Sequence, residues 1–152
     1  MRPALRLISQ DYPSGHGDAG PLAPKNGNGT QRKSTVLVVE DEVLTRLGIA
    51  DFLRKSNYRV LEASTAEEAQ SILRAGEPIE VVFSDVTMPG KLNGFELAHW
   101  IRREFPDVRM LLTSGADHLA HQAGYGQIEG PVLAKPYAFE TVLAHIKRLL
   151  LP

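Results

Sequence analysis

The chain has no cysteine, which excludes disulfides and thiol chemistry. It has no apolar stretch approaching ~18 residues, the length a helix needs to cross a bilayer. Ala4 to Ser9 are mildly apolar after Arg2, too short a run for a secretory signal. No glycine-rich loop follows any hydrophobic run, so the cradle that nucleotide-binding proteins use for phosphate is missing. Charge of one sign is also missing: the formal net charge is −1, and nothing overall points to nucleic acid. These absences leave a protein of 152 residues, 43% apolar, enough for one domain with a real core. No membrane or nucleic-acid partner is expected, and a cytoplasmic location is the default.

Residues 1–34 differ from the rest. They carry five Lys/Arg and two Asp, a local charge of +3 within a total of −1, leaving −4 beyond them. Gly15, Gly17, Gly20, Gly27 and Gly29 leave the backbone too free to order cheaply. Residues 1–34 therefore read as a leader without ordered structure, or as a stretch upstream of a later start of translation. Residues 35–152 read as the domain.

From Thr35 the pattern alternates between short apolar runs and helical periodicity. Strands are expected at Thr35–Val39, Arg59–Ala63, Ile79–Ser84, Val108–Leu112 and Val132–Ala134. Helices are expected at Val43–Ser56 with Asn57 as C-terminal cap, from Ala66 to about Ala75, at Phe95–Phe105, weakly near Asp117–Ala123, and at Ala138–Leu150. Five such units imply an α/β fold: a five-stranded parallel sheet with right-handed crossovers and helices on both faces.

Four of the hydrophobic runs end at polar residues of different kinds. Val36–Val39 ends at Glu40-Asp41, Val81–Ser84 at Asp85, Met110–Leu112 at Thr113, and Val132–Ala134 at Lys135. If the runs are parallel strands, their C-terminal ends share one edge, where open α/β sheets bind ligands. That edge would hold three carboxylates, a hydroxyl and an ammonium, a set suited to a divalent cation and a phosphoryl group. Asp85 alone could be a turn cap; its partners are what argue for chemistry.

Val38-Val39-Glu40-Asp41-Glu42, Ser84-Asp85-Val86-Thr87-Met88-Pro89-Gly90, Thr113-Ser114-Gly115 and Lys135-Pro136-Tyr137 together resemble the receiver domain of two-component response regulators. The resemblance runs from Ser34 to about Leu151. It implies the flavodoxin-like strand order 2-1-3-4-5. It implies that Asp85 is the phosphoacceptor, with Thr113 and Lys135 contacting the phosphoryl group and Lys135 paired with Asp85 beforehand. It implies Mg²⁺ held by Glu40, Asp41, Asp85 and the backbone carbonyl of Thr87, with Asp41 the more direct ligand of the acidic pair. Lys135-Pro136 is implied to be cis. Thr87 and Gly115 would line the path of the water that hydrolyses the acyl phosphate.

Two departures from the family pattern matter. The stretch Met88 to Gly94 is one residue longer than the commonest spacing, so the loop beside the site should be reshaped. Three residues before Lys135, where many relatives carry an aromatic switch residue, stands Val132. Tyr137 is not assigned to that role by the sequence.

On a helical wheel Thr45, Ile49, Phe52, Leu53 and Ser56 form the core face of the first helix. Val43, Leu44 and Leu47 fall nearly opposite, an apolar patch beside the acidic pair. The resemblance makes this the docking face for a sensor histidine kinase or histidine phosphotransfer protein. The expected protein is a stand-alone receiver, a signalling protein and not an enzyme for a separate substrate. It would be a relay intermediate, a phosphate sink or a regulator of a downstream protein target, and a monomer or weak dimer.

Three rivals remain. A haloacid-dehalogenase-like phosphatase needs a second Asp where Thr87 stands. A flavin or nucleotide binder needs the missing phosphate loop. A receiver-like interaction module that is never phosphorylated would not need the full acidic, Thr and Lys set. His118 and His121, three residues apart, could ligate a metal, but no third ligand accompanies them.

Overall fold

A computed structural model describes residues 31–115 and 130–152. Among these, β1 is Thr35–Val39, α1 Val43–Lys55, β2 Arg59–Ala63, α2 Ala66–Arg74 and β3 Val81–Asp85. Then follow α3 Gly94–Glu104, β4 Arg109–Ser114, β5 Val132–Ala134 and α4 Phe139–Leu149. The helix expected near Asp117–Ala123, with His118 and His121, lies outside the described residues, as does most of the 1–34 segment. Arg32 and Ser34, read as leader, already touch the sheet. Arg32 pairs with Glu80 at 2.9 Å, and the Ser34 carbonyl accepts the Arg59 N–H.

The sheet is five-stranded and parallel, in the order β2-β1-β3-β4-β5. β1 and β3 are buried along their whole length. Parallel strands covered on both faces read as continuous apolar runs, which is why Val36–Val39 and Val81–Phe83 show no alternation. The side chains still alternate in space. Leu37, Val39, Val82 and Leu112 join α2 and α3 residues in one core layer. Val36, Val38, Val81, Phe83 and Leu111 join α1 and α4 residues in the other. The close α1–α4 approach uses Gly48, where a Cβ would stand 3.1 Å from the Phe139 ring.

Two strands, β3 and β4, differ in their bounds from the sequence reading. The Ile79 N–H turns back to the Glu77 carbonyl, so the β3 ladder starts at Val81. β4 continues through Thr113 and Ser114, because Val86 donates to the Thr113 carbonyl and Lys135 to the Ser114 carbonyl. Thr113 is therefore fixed within a strand instead of starting a loop.

The helix ends follow local chemistry. Glu42, not the Glu40-Asp41 pair, caps α1, accepting the N–H groups of Leu44 and Thr45 at 3.1 and 2.6 Å. That leaves Glu40 and Asp41 for other work. At the far end Asn57 adopts φ 73°, with Asn57 N–H on the Arg54 carbonyl and Tyr58 N–H on the Leu53 carbonyl. This pair of bonds closes a Schellman motif, with asparagine in the left-handed position one residue past the Ser56 cap.

The long β3–α3 loop is tied at both ends. Glu67 of α2 accepts the N–H groups of Lys91 and Leu92 at 2.6 and 3.2 Å. Asn93 and Glu96 form a capping box at the start of α3. Gly94 donates to the Val86 carbonyl at 2.8 Å, and a Cβ there would overlap the Asp85 carbonyl oxygen. Only glycine lets α3 begin this close to the end of β3.

Candidate functional site

The C-terminal ends of β1, β3, β4 and β5 bring Glu40, Asp41, Asp85, Thr113 and Lys135 to one edge of the sheet. Asp85 and Thr113 are register partners across β3 and β4. Asp85 is 5% exposed. Its Oδ2 accepts the Lys135 ammonium at 2.6 Å, and its Oδ1 accepts the Thr87 N–H at 3.1 Å. The ion pair implied by the resemblance is present, and Lys135-Pro136 is cis. Thr87 and Lys135 both open to solvent, so the site is reachable from outside. Among the described residues, a Cβ at Gly115 would meet nothing within 4 Å.

Glu40, Asp41 and Asp85 each offer an oxygen, all within 4.8 Å of one another. They are not equivalent. Glu40 is 3% exposed and Asp41 is exposed. Glu40 Oε1 accepts the Glu42 N–H at 3.1 Å, whereas its buried Oε2 has no partner among the described residues. Arg46 fixes the strand end by donating to the Glu40 carbonyl at 2.8 Å. Two buried carboxylates, one oxygen unsatisfied, with a third acid beside them, match the donor set of a hard divalent cation.

Burial is the main force pushing the Glu40 carboxyl up to about 7, aided by the Asp85 charge and opposed by the Glu42 N–H and Lys135. The sign for stability follows. The unfolded glutamate releases its proton near 4.5, the native one near 7. Between these values the native state binds more protons, so metal-free stability falls as pH rises, and the full penalty is present above the native pKa. Glu40→Gln carries no such proton. Denaturant unfolding without divalent cation should show the wild type losing on the order of 2 kcal/mol more than Glu40→Gln between about pH 5 and pH 8. Equal slopes would mean that Glu40 ionises freely.

Beneath the carboxylates lie two hydroxyls. Thr113 is fully buried and its Oγ1 has no partner among the described residues. The Tyr137 hydroxyl is also buried, again without a partner among the described residues. Burial first, then the charges of Glu40 and Asp85, push the Tyr137 phenol up to about 12. Its ring meets Phe83 of β3 edge-on, with centroids 5.9 Å apart. Val132 packs in the other core layer, with α2 and α3. The sequence pointed to Tyr137 only as a neighbour of Lys135. The signal that would have found it is a phenol, not a plain ring, two residues past the lysine.

On α1 the buried residues are Ile49, Ala50 and Leu53, with Thr45, Phe52 and Ser56 only half-buried. Val43, Leu44 and Leu47 are exposed by 53%, 78% and 49%, beside the acidic pair as expected. Among the described residues no helix is long and apolar enough to cross a membrane.

Residues 36–147 match the response regulator receiver domain family. Similarity extends to the sensor kinase CckA of Brucella abortus, 32% identical over 124 residues, 77% of this chain and 12% of that protein. It also extends to the response regulator MprA of Mycolicibacterium vanbaalenii, 31% identical over 116 residues, 76% of this chain and 49% of that protein. The chain thus spans about half the length of that regulator and a small part of the kinase. Among solved structures, the receiver domain of the hybrid histidine kinase CckA is 30% identical, with a TM-score of 0.64, covering 78% of this chain and all of that one. The response regulator TrrA of Thermotoga maritima, solved with Mg²⁺-BeF, is 26% identical with a TM-score of 0.69, covering 77% of this chain and 99% of that one. A receiver protein from Sinorhizobium medicae, 24% identical, shares the fold at a TM-score of 0.72, covering 78% of this chain and 95% of that one. This protein belongs to the response regulator receiver domain family.

Proposed function

We propose that the chain is a phosphoacceptor of two-component signalling, taking a phosphoryl group onto Asp85 from a histidine kinase or histidine phosphotransfer protein. The observation that carries this is the 2.6 Å pair between Asp85 and Lys135, set beside two further acids and the buried, unpartnered Thr113 hydroxyl. An Asp85 oxygen attacks phosphorus, the bond from phosphorus to the donor atom breaks, and the leaving group departs with the electron pair. Lys135 then shifts its interaction from the carboxylate to a phosphoryl oxygen, while Thr113 donates its proton to another. Catalysis of this kind is positioning plus charge stabilisation.

Glu40, Asp41 and Asp85, with the Thr87 carbonyl, would hold Mg²⁺. When bound, Mg²⁺ offsets the repulsion between an anionic donor and three carboxylates. The complex of the Thermotoga relative with Mg²⁺-BeF supports this choice of ion. Incubation with acetyl phosphate tests the reading: labelling that needs Mg²⁺ is expected, and a protein left unlabelled at saturating donor and Mg²⁺ would contradict it.

Val43, Leu44 and Leu47 offer the donor a docking face. Isolated surface apolar residues are common, but Val43, Leu44 and Leu47 clustered next to the acceptor site suit a helical partner carrying the phosphohistidine. Leu44→Asp should slow transfer from a protein donor by about 10-fold while acetyl phosphate labelling stays near wild type. An equal loss with both donors would show damage to the site instead of to docking. Residues 35–152 are proposed as the functional unit, acting as relay, sink or regulator of a downstream protein.

A further inference from the structure

The receiver family places its switch aromatic three residues before the lysine, and here that place is filled by Val132, which faces the other core layer. The face beneath the site is nevertheless occupied by an aromatic. Strand alternation puts Phe83 and Asp85 on one face of β3, and Leu111 and Thr113 on the same face of β4. Phe83 and Leu111 belong to the core layer beneath α1 and α4, against which Tyr137 packs. The Tyr137 ring stands at 89° to Phe83, which anchors it under the β3 and β4 ends.

Its hydroxyl therefore arrives from below at the side chains that Asp85 and Thr113 extend over that face. It lies near enough to feel both Glu40 and Asp85 and to approach Thr113, yet no well-formed hydrogen bond joins the two hydroxyls. Two buried hydroxyls without a partner among the described residues are costly, about 1–3 kcal/mol each, and uncommon in native interiors. A phenylalanine would pack on Phe83 equally well and avoid the cost. The phenol therefore serves something other than the core.

A threonine hydroxyl has one proton to give and two lone pairs to receive with. Left alone, its proton rotates freely and has no fixed direction. A donor from below occupies a lone pair and leaves the proton free to point outward.

We infer that Tyr137 is a positioning residue for phosphoryl transfer, its hydroxyl closing onto Thr113 Oγ1 as the phosphoryl group arrives, so that Thr113 directs its own proton to the incoming phosphoryl oxygen. This rests on Asp85 being the phosphoacceptor. The Tyr137 phenol keeps its proton throughout the neutral range and is available as a donor at any working pH. It touches neither the donor nor the acceptor atom, and acts through Thr113.

Acetyl phosphate labelling of wild type, Tyr137→Phe, Thr113→Ala and the double variant tests this. Tyr137→Phe keeps the ring, so its thermal midpoint should equal or exceed that of wild type. Its labelling rate should fall by about 5-fold, the worth of one hydrogen bond. In the Thr113→Ala background the same change should alter the rate by less than about two-fold, since the residue Tyr137 acts through is gone. In a Thr113→Ser background the sensitivity to Tyr137→Phe should return. A wild-type rate in Tyr137→Phe would overturn the inference, as would losses that multiply in the double variant. Absence of labelling in the wild type would instead overturn the phosphoacceptor reading.

Discussion

Asp85→Asn should lower Mg²⁺-dependent labelling by acetyl phosphate or a phosphohistidine protein to background, a loss on the order of 10³-fold or more. Asparagine matches the volume of Asp85 and can still accept the Thr87 N–H. It offers no anionic oxygen to attack phosphorus, and the Lys135 ammonium loses its 2.6 Å partner. The fold should survive, because the β3 end is held independently by the Val86–Thr113 and Gly94–Val86 backbone bonds. Near-UV circular dichroism should match wild type while labelling vanishes. Residual Mg²⁺-dependent labelling above about 1% of wild type would assign the acceptor to another carboxylate.

Lys135→Met should slow labelling by about 10²-fold, the usual cost of removing one preorganised donor from a developing anion. Methionine keeps the unbranched stem and removes only the charge. Divalent-cation binding should persist or tighten, since a positive group beside the three acids is gone. This split between chemistry and metal binding separates a transition-state role from a structural one. If cation affinity and labelling fall together, Lys135 holds the site in shape and does not act on the phosphoryl group.

The family resemblance implied the strand order, and the apolar runs themselves allowed the convergence of Asp85, Thr113 and Lys135 to be anticipated. A polar residue closing an apolar run marks the end of a buried strand, and parallel connections bring such ends to one edge. The exposed patch of Val43, Leu44 and Leu47 followed from helical periodicity in the same way. Other features depend on distance in space. Glu40 and Asp41 are adjacent in sequence and both follow Val39. Only the packed structure shows the first buried with an unpaired oxygen and the second in solvent.

The extra residue between Met88 and Gly94 signalled a reshaped loop, but not that Glu67, more than twenty positions earlier, would hold it by two N–H bonds. Ala50 joined the core of α1 in place of Thr45 because an alanine scores weakly on any wheel yet fits where the helix lies closest to the sheet. The unpaired Tyr137 hydroxyl was hidden for a further reason: a missing partner leaves no sequence pattern.

Phosphoryl acceptance by Asp85 is tested most directly by locating the phosphoryl group itself. Protein incubated with acetyl phosphate and Mg²⁺ is reduced with borohydride, which converts an acyl phosphate to the alcohol, and the modified residue is identified by peptide mass spectrometry. A single reduced position, Asp85, is expected, with a phosphoryl group lost in alkali or hydroxylamine. Reduction at Glu40 or Asp41, or a label that survives these treatments on a hydroxyl such as Thr113, would contradict it.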